Sequence, residues 1–183
     1  MSRLMRDLSL HVLDVAENSV DAGARNVVIT IREERREDRL TLTVRDDGRG
    51  FEAGLKTGDA YFTSKRKRFG MGIPMLKQAA RETGGSFSLQ SEPGRGTVLS
   101  ASFGLTHVDR KPLGDMGATL SALVAGHPET DFVLVYESDG YTYRFETARL
   151  REELPGLPLS VPKVLQYIHQ DVNEGIRRAH GGS

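Results

Sequence analysis

Cysteine is absent from the chain, and so is tryptophan. Without thiols there is no disulfide framework and no thiolate metal centre, so the fold must rest on its own buried surface. An excess of either charge is lacking too: 25 Lys and Arg stand against 25 Asp and Glu. That balance excludes a general binder of nucleic acid or membrane surfaces, which attract proteins through a sustained net field. No apolar run approaches the roughly 20 residues that span a bilayer. The opening MSRLMRDLSLHVLDV has neither the apolar centre nor the cleavage site of a secretory leader. The expectation from these absences is a cytoplasmic protein with neither a membrane nor a nucleic-acid partner. No internal repeat or low-complexity tract is found. At 183 residues the chain suits a domain of ordinary size with a smaller extension.

What is present begins with DVAENSVDAGA, residues 14–24. Asp14, Glu17, Asn18 and Asp21 recur at spacings of three and four, so they share or adjoin one helical face. Leu10, Leu13, Val20 and Ala24 supply part of the opposite, apolar side. On an arbitrary helix such a polar face is solvated surface. The helix is predicted from about Arg3 to Ala22, closed by Gly23. NVVITIREE and DRLTLTVRDDG alternate as strands, joined through the charged REERREDR as a solvated hairpin connection. From Gly50 to Gly70 the pattern dissolves in GFEAGLKTGDAYFTSKRKRFG, a long connection of the kind that carries function. IPMLKQAARETG reads as a helix with Pro74 in its first turn. SFSLQSE and TVLSASFGL read as strands around the turn PGRG. This order predicts an α+β fold, a two-layer α/β sandwich in which one sheet carries its helices on one face.

Beyond Leu105 the character changes. THVDRKPLGDMG reads as a linker, ATLSALVAG as a short helix, and DFVLVYESDGYTYRFET as a hairpin turning at Ser138, Asp139 and Gly140. ARLREEL and KVLQYIHQDVNEGIRR read as the last helices. Residues 1–104 are therefore read as the main domain, 105–179 as a small α+β extension and 180–183 as a flexible tail. The extension carries Phe132, Val133, Val135, Tyr136, Tyr141, Tyr143 and Phe145. These either pack against the final helix or form a contact with a partner or a second copy as a homodimer.

Several glycine turns complete the pattern. VRDDGRGF ends a strand in Asp46 and continues through Gly48 and Gly50. FGMGIPM sets Gly70 and Gly72 before a helix N-terminus, where free N–H groups and the helix dipole favour phosphate. SEPGRGTVLSASF opens a strand at Thr97. Each alone is a common tight turn. In this order they resemble the nucleotide boxes of the ATP-binding fold shared by gyrase, heat-shock chaperone ATPases, histidine kinases and MutL, the GHKL superfamily. The resemblance covers residues 8 to about 104. ENSVDAGARNVVITI is similar to the MutL and gyrase form, and YFTSKRKRFGMGIPMLKQAARETGGSFSLQSEPGRGTVLSASF to the histidine-kinase form.

The resemblance implies the Bergerat ATP-binding fold, with ATP and Mg²⁺ as ligands. It implies that Asn18 ligates Mg²⁺ through its amide oxygen, the hard ligand that ion prefers. Asp46 would accept from the adenine amino group with Thr97 in support. Gly48 and Gly50 would let backbone lie against the nucleotide, and Gly70 and Gly72 would present N–H groups to the phosphates. Asp21, Phe62, Met71 and Ile73 join the ATP-binding set. Lys65, with Arg66, Lys67 or Arg68, would neutralise phosphate charge, the competing reading being a solvated basic loop. Glu17 is assigned to structure or a surface contact.

One position departs from the pattern. In ATP-hydrolysing relatives a glutamate four residues before the asparagine acts as general base, and here Asp14 stands there. Its side chain is one methylene shorter, and base catalysis responds to displacements of about 1 Å. Asp14 and Asn18 are the catalytic candidates, with fast hydrolysis placed in doubt. Phosphoryl transfer, which rests on positioning and Mg²⁺, is less exposed to that change. The two helices that bear the phosphorylated histidine in histidine kinases are missing from the pattern. His11 lacks the flanking residues of an acceptor, and His107, His127, His169 and His180 show no acceptor or metal spacing. The leading expectation is a Mg-ATP-binding, histidine-kinase-like protein that transfers the γ-phosphoryl group to a separate protein partner, on histidine or serine, in signalling. The alternatives are an ATP-gated interaction module with little turnover and a slow ATPase of the gyrase or MutL kind.

Overall fold

Helix α1 (Leu8–Asp21) begins later than the periodicity predicts, and the reason is its cap. In this computed structural model, which describes residues 5–51 and 72–181, Asp7 Oδ1 accepts from the Leu10 N–H at 3.1 Å. Met5 has a left-handed φ of 67°, so helical geometry does not continue upstream. The buried stripe of α1 is Leu8, Val12, Val15, Ala16 and Ser19. Leu10 is half-buried, and Leu13 and Val20 pack only partly against the core, so the apolar side is rotated from the one expected. The helix ends at Asp21 with Ala22 as its C-cap, and Gly23 follows at φ 78°.

Strand β1 (Asn26–Glu34) runs through a short 3₁₀ turn at Arg35–Glu37 into β2 (Arg39–Asp46), the hairpin that the charged run implied. Helix α2 (Gly72–Glu82) precedes β3 (Phe87–Glu92) and β4 (Gly96–Gly104). Then come α3 (Met116–Gly126), β5 (Asp131–Ser138), β6 (Tyr141–Glu146), α4 (Thr147–Glu153) and α5 (Pro162–Gly181). The six strands form one sheet in the order β3-β4-β2-β1-β5-β6. Every neighbouring pair is antiparallel except β1 and β5, which run parallel with Ile29 opposite Leu134.

Period-two alternation places Val27, Ile29 and Ile31, Leu40, Leu42 and Val44, and Leu99, Ala101 and Phe103 in the core. Against them pack Val12 and Val15 of α1, Ile73 and Leu76 of α2, Leu120 and Leu123 of α3, and Ile168 and Val172 of α5. Each of the larger side chains among these, Val, Leu, Ile or Phe, contributes roughly 1.5–3 kcal/mol by leaving water. This is the mixed α/β, two-layer arrangement expected.

The extension is joined to this body more closely than its linker composition implies. Its strands continue the same sheet through the β1–β5 pairing, and α3 packs against both α1 and α5. The hairpin aromatics are spent inside: Phe132 and Tyr136 are fully buried and Phe145 nearly so. Tyr141 and Tyr143 donate to the Gly175 carbonyl and the Asp171 carboxylate of α5, at 2.9 and 2.6 Å. Of the two readings of that surface, packing on the final helix accounts for these rings. Helix α5 runs through His180, whose Nε2 lies 2.8 Å from the Tyr136 hydroxyl.

Leu134→Ala, beside the β1 seam, is expected to lower the unfolding free energy by about 3 kcal/mol. Urea unfolding followed by circular dichroism and by tyrosine fluorescence should give one coincident transition in both proteins. Two separated transitions would mean that the extension folds as a unit of its own.

Candidate functional site

A cavity opens between α1, the end of β2 and the start of β4, and Asp46 stands in its wall. Asp46 is the last residue of β2, which orients its side chain toward α1. Its Oδ2 accepts from Ser19 Oγ at 2.6 Å. Its Oδ1 accepts from the backbone N–H of Gly48 at 2.9 Å and of Thr97 at 3.2 Å. The carboxylate is therefore held from three separate segments, and charge-assisted bonds of this kind are the stronger class. Thr97 reaches Asp46 through its backbone, while its hydroxyl lies 2.9 Å from Ser91 Oγ. Ser91 Oγ in turn accepts from the Phe51 N–H at 2.9 Å, fixing the loop that follows β2.

Of the expected nucleotide set, Asn18, Asp21, Asp46, Gly50, Ile73 and Thr97 line this one cavity. Asp21 is exposed at its edge, and Val15, Val44 and Leu99 give it an apolar lining. Gly48 sits beneath as a donor to Asp46. Gly72 stands apart, at the start of α2 and against Asp14. Phe62, Lys65, Arg66, Lys67, Arg68, Gly70 and Met71 lie outside the described residues.

Two glycines owe their identity to close approaches within the protein. Gly50 has φ 62°, and a Cβ there would lie 2.1 Å from the Glu92 carbonyl. The loop after β2 is thus pressed onto the β3–β4 turn, where the Gly94 N–H donates to the Arg49 carbonyl at 2.7 Å. At Gly72 a Cβ would lie 1.8 Å from Asp14 Oδ2, so the Asp14 carboxylate occupies the space any side chain would need.

The opening polar stretch divides by function along the helix. Glu17 pairs with His127 at 2.7 Å, a surface contact tying α1 to the end of α3. Asp14 and Asn18 instead carry buried side-chain atoms, Oδ2 and Nδ2, without a hydrogen-bond partner among the described residues. Burial, and then the neighbouring Glu17 carboxylate, push Asp14 above the usual carboxylate range. A buried polar atom left unpaired costs about 1–3 kcal/mol, so such atoms mark places made for a ligand, ion or water. Among the described residues no cluster of three or more His, Asp or Glu could hold a metal. Nor is any helix among them long and apolar enough to cross a membrane.

Three participants escaped the sequence reading. Ser19 and Ser91 buttress Asp46 and Thr97; for Ser19 the available signal was a hydroxyl interrupting the apolar stripe four residues after Val15. His11 is the third. It is fully buried, with Nε2 at 3.0 Å from Lys111 Nζ. Burial, and then the Lys111 ammonium, lower its pKa to about 4, against smaller raising effects of the Gly72 backbone and Asp7.

A mixed six-stranded sheet under a helical layer, with this carboxylate-walled cavity between them, is the architecture of an ATPase-type nucleotide domain. Residues 5–107 match the family of histidine kinase-, DNA gyrase B- and HSP90-like ATPases, and the chain belongs to that family. It is 26% identical over 89 residues to sporulation kinase C of Bacillus subtilis, covering 48% of this chain and 21% of that protein. It is 27% identical over 90 residues to the sensor protein DegM of a Bacillus species, covering 48% of this chain and 24% of that one. The chain thus spans between a fifth and a quarter of the length of these relatives. Among solved structures, the N-terminal domain of a DNA repair protein superposes with a TM-score of 0.51 at 12% identity, over 78% of this chain and 52% of that one, a likeness of fold.

The neutral His11 sets a pH dependence whose sign is fixed. Its pKa is about 4 in the fold against 6.5 free, so the unfolded chain takes up the proton first. Its contribution is complete above pH 6.5 and is lost as pH falls through about 4, amounting to roughly 3 kcal/mol. Urea unfolding at pH 7 and pH 4 should show wild type losing about that much more than His11→Phe. Parallel losses would mean that His11 is not held neutral.

Proposed function

We propose that this chain binds Mg-ATP in the Asp46 cavity and transfers the γ-phosphoryl group to a side chain of a separate protein, in signalling. The carrying observation is the cavity itself: an apolar slot with an oriented carboxylate in its wall and the unpaired polar face of α1 at its edge. The carboxylate suits an adenine, whose amino group is a donor and whose ring is apolar on both faces. Family membership supports ATP as the ligand, and the names of the matched relatives, a sporulation kinase and a sensor protein, support kinase chemistry.

The donors present fit the expected ion. Magnesium is usually held by one or two protein oxygens together with substrate phosphates, and needs no cage of carboxylates. The Asn18 amide oxygen would ligate it, the unpaired Asn18 Nδ2 would be left to donate to a phosphate oxygen, and the Asp14 carboxylate adds a hard oxygen on that face. Bound there, the ion would offset the negative charge of the phosphate oxygens that otherwise repels an incoming nucleophile. Asp46 would anchor the base, with Ser19, Gly48 and Thr97 keeping the acceptor oriented. Asp14, its carboxylate pressed on Gly72, would border the phosphate end, where Gly70, Gly72 and Lys65 are the expected phosphate contacts. An acceptor hydroxyl or imidazole of the partner would attack the γ-phosphorus as its bond to the bridging oxygen breaks, releasing ADP.

A second reading has its own support. The extension is fastened along α1, through Glu17 to His127 and Thr119 to the Ser9 carbonyl, so nucleotide binding could alter a surface used by a partner or second copy without turnover.

Incubation with γ-labelled ATP and Mg²⁺, alone and with lysate from the source cells, separates these outcomes. Label on a protein band with wild type but not with Asn18→Ala supports the kinase. Tight binding with neither label nor free phosphate supports the gated module, and steady phosphate release supports an ATPase. Asp46→Asn is expected to weaken ATP about ten- to a hundredfold by calorimetric titration, and unchanged affinity would remove the adenine from this cavity.

A further inference from the structure

The first turn of α1 is completed by the segment that joins β4 to α3. The N–H groups of Leu8 and Ser9, left without partners inside the helix, donate to the carbonyls of Pro112 and Leu113 at 2.9 and 2.8 Å. This strap therefore runs against the start of the helix that carries Asp14 and Asn18. From it Lys111 reaches inward. Its Nζ donates to the Met5 carbonyl at 2.8 Å and lies 3.0 Å from Nε2 of the fully buried His11.

An ammonium has donors and no acceptor, so Nε2 must accept and the ring proton must sit on Nδ1. That Nδ1 is buried and makes no hydrogen bond of normal geometry among the described residues, although the Gly72 backbone exerts a weaker hydrogen-bonding pull on the ring. His11, Asp14 and Asn18 stand at i, i+3 and i+7 of α1, one face, and each carries one such unpaired atom. The His11 ring also borders the backbone of Gly72, the residue on which the Asp14 carboxylate is pressed. A donor on this face favours neighbouring negative charge, whereas the other tautomer would turn a lone pair toward it.

We propose that Lys111 is a positioning residue for the phosphate end of the site: by donating to His11 Nε2 it holds the Nδ1–H tautomer on the Asp14–Asn18 face, and so couples the strap and the extension beyond it to triphosphate affinity. The proposal rests on the nucleotide reading above. The adenine end, at Asp46 and Thr97, lies outside this chain of contacts.

Two measurements test it. In the unliganded protein, the ¹⁵N shifts of the His11 ring are expected to report protonated Nδ1 and bare Nε2, and to change in Lys111→Met. A wild-type ring protonated on Nε2, or spectra indifferent to Lys111, would overturn the proposal. The second is titration with the β,γ-imido analogue of ATP and with adenosine. Lys111→Met should weaken the analogue about tenfold and adenosine less than twofold, with Lys111→Arg restoring most of the loss. In a His11→Phe background Lys111→Met should cost nothing more. Equal losses for both ligands, or the same loss without the histidine, would mean general destabilisation or simple charge removal, and would overturn it. A wild type that binds neither ligand would refute the nucleotide reading, and the ring shifts would still decide whether Lys111 sets the tautomer.

Discussion

The Asp46 carboxylate is the point on which the site depends, because it draws its partners from three distant parts of the chain. Ser19 comes from α1, Gly48 from the loop after β2, and Thr97 from the first turn of pairing in β4. A half-buried carboxylate needs its acceptor positions filled, and filling them brings the helix, the loop and the strand to fixed separations. The cavity is what remains between these elements once the carboxylate is satisfied. Its apolar lining follows from β2 and β4 alternation, since Val44 and Leu99 point into the same layer as the core.

Around that fixed point the structure leaves a different set of groups incompletely satisfied. His11, Asp14 and Asn18 each keep one buried atom without a hydrogen-bond partner among the described residues, all on one face of α1. Local rules of folding argue against such a face, and their violation is expected where a protein has another use for the atoms. The tight fit of Asp14 on Gly72 brings that face to the start of α2. The energetic cost is borne by the large apolar interface along the adjoining stripe of the same helix, where Leu8, Val12, Val15 and Ala16 are buried.

The C-terminal third of the chain bears on the site through structure and not through sequence motifs. Its strap caps α1, its helix α3 packs beside α1, and its strand β5 covers an edge of β1 that would otherwise present unpaired backbone groups. Pairs such as Glu17 with His127 and Asp115 with His169 hold these elements at the surface, where each contributes little alone. The weight falls on burial and on backbone pairing.

Much of this was legible in the residues themselves. Alternation in NVVITI and LTLTV, glycine and aspartate at the hairpin turn, and helical spacing in LDVAENSV are local properties, set by which side chains can share a face. The polar face of α1, the strand-end carboxylate and the glycine turns are likewise local, and the resemblance of their order to a known family is what joined them into a candidate site. What local patterning could not specify was the partner of each edge. Backbone hydrogen bonds are nearly indifferent to side chain, so nothing in DFVLVYES distinguishes a separate unit from a strand laid parallel to β1. The start of α1 is set locally by the Asp7 cap, but its first turn is completed by carbonyls about 100 residues away, and the rotation of its buried face depended on where α2 and α3 came to rest. His11 was set aside only as a phosphate acceptor, and its partner Lys111, 100 residues on, was not visible from the sequence. The sequence by itself determined the elements and the chemistry they carry; the tertiary structure alone decided which of them meet, because long-range pairing is selected by the packing of the whole.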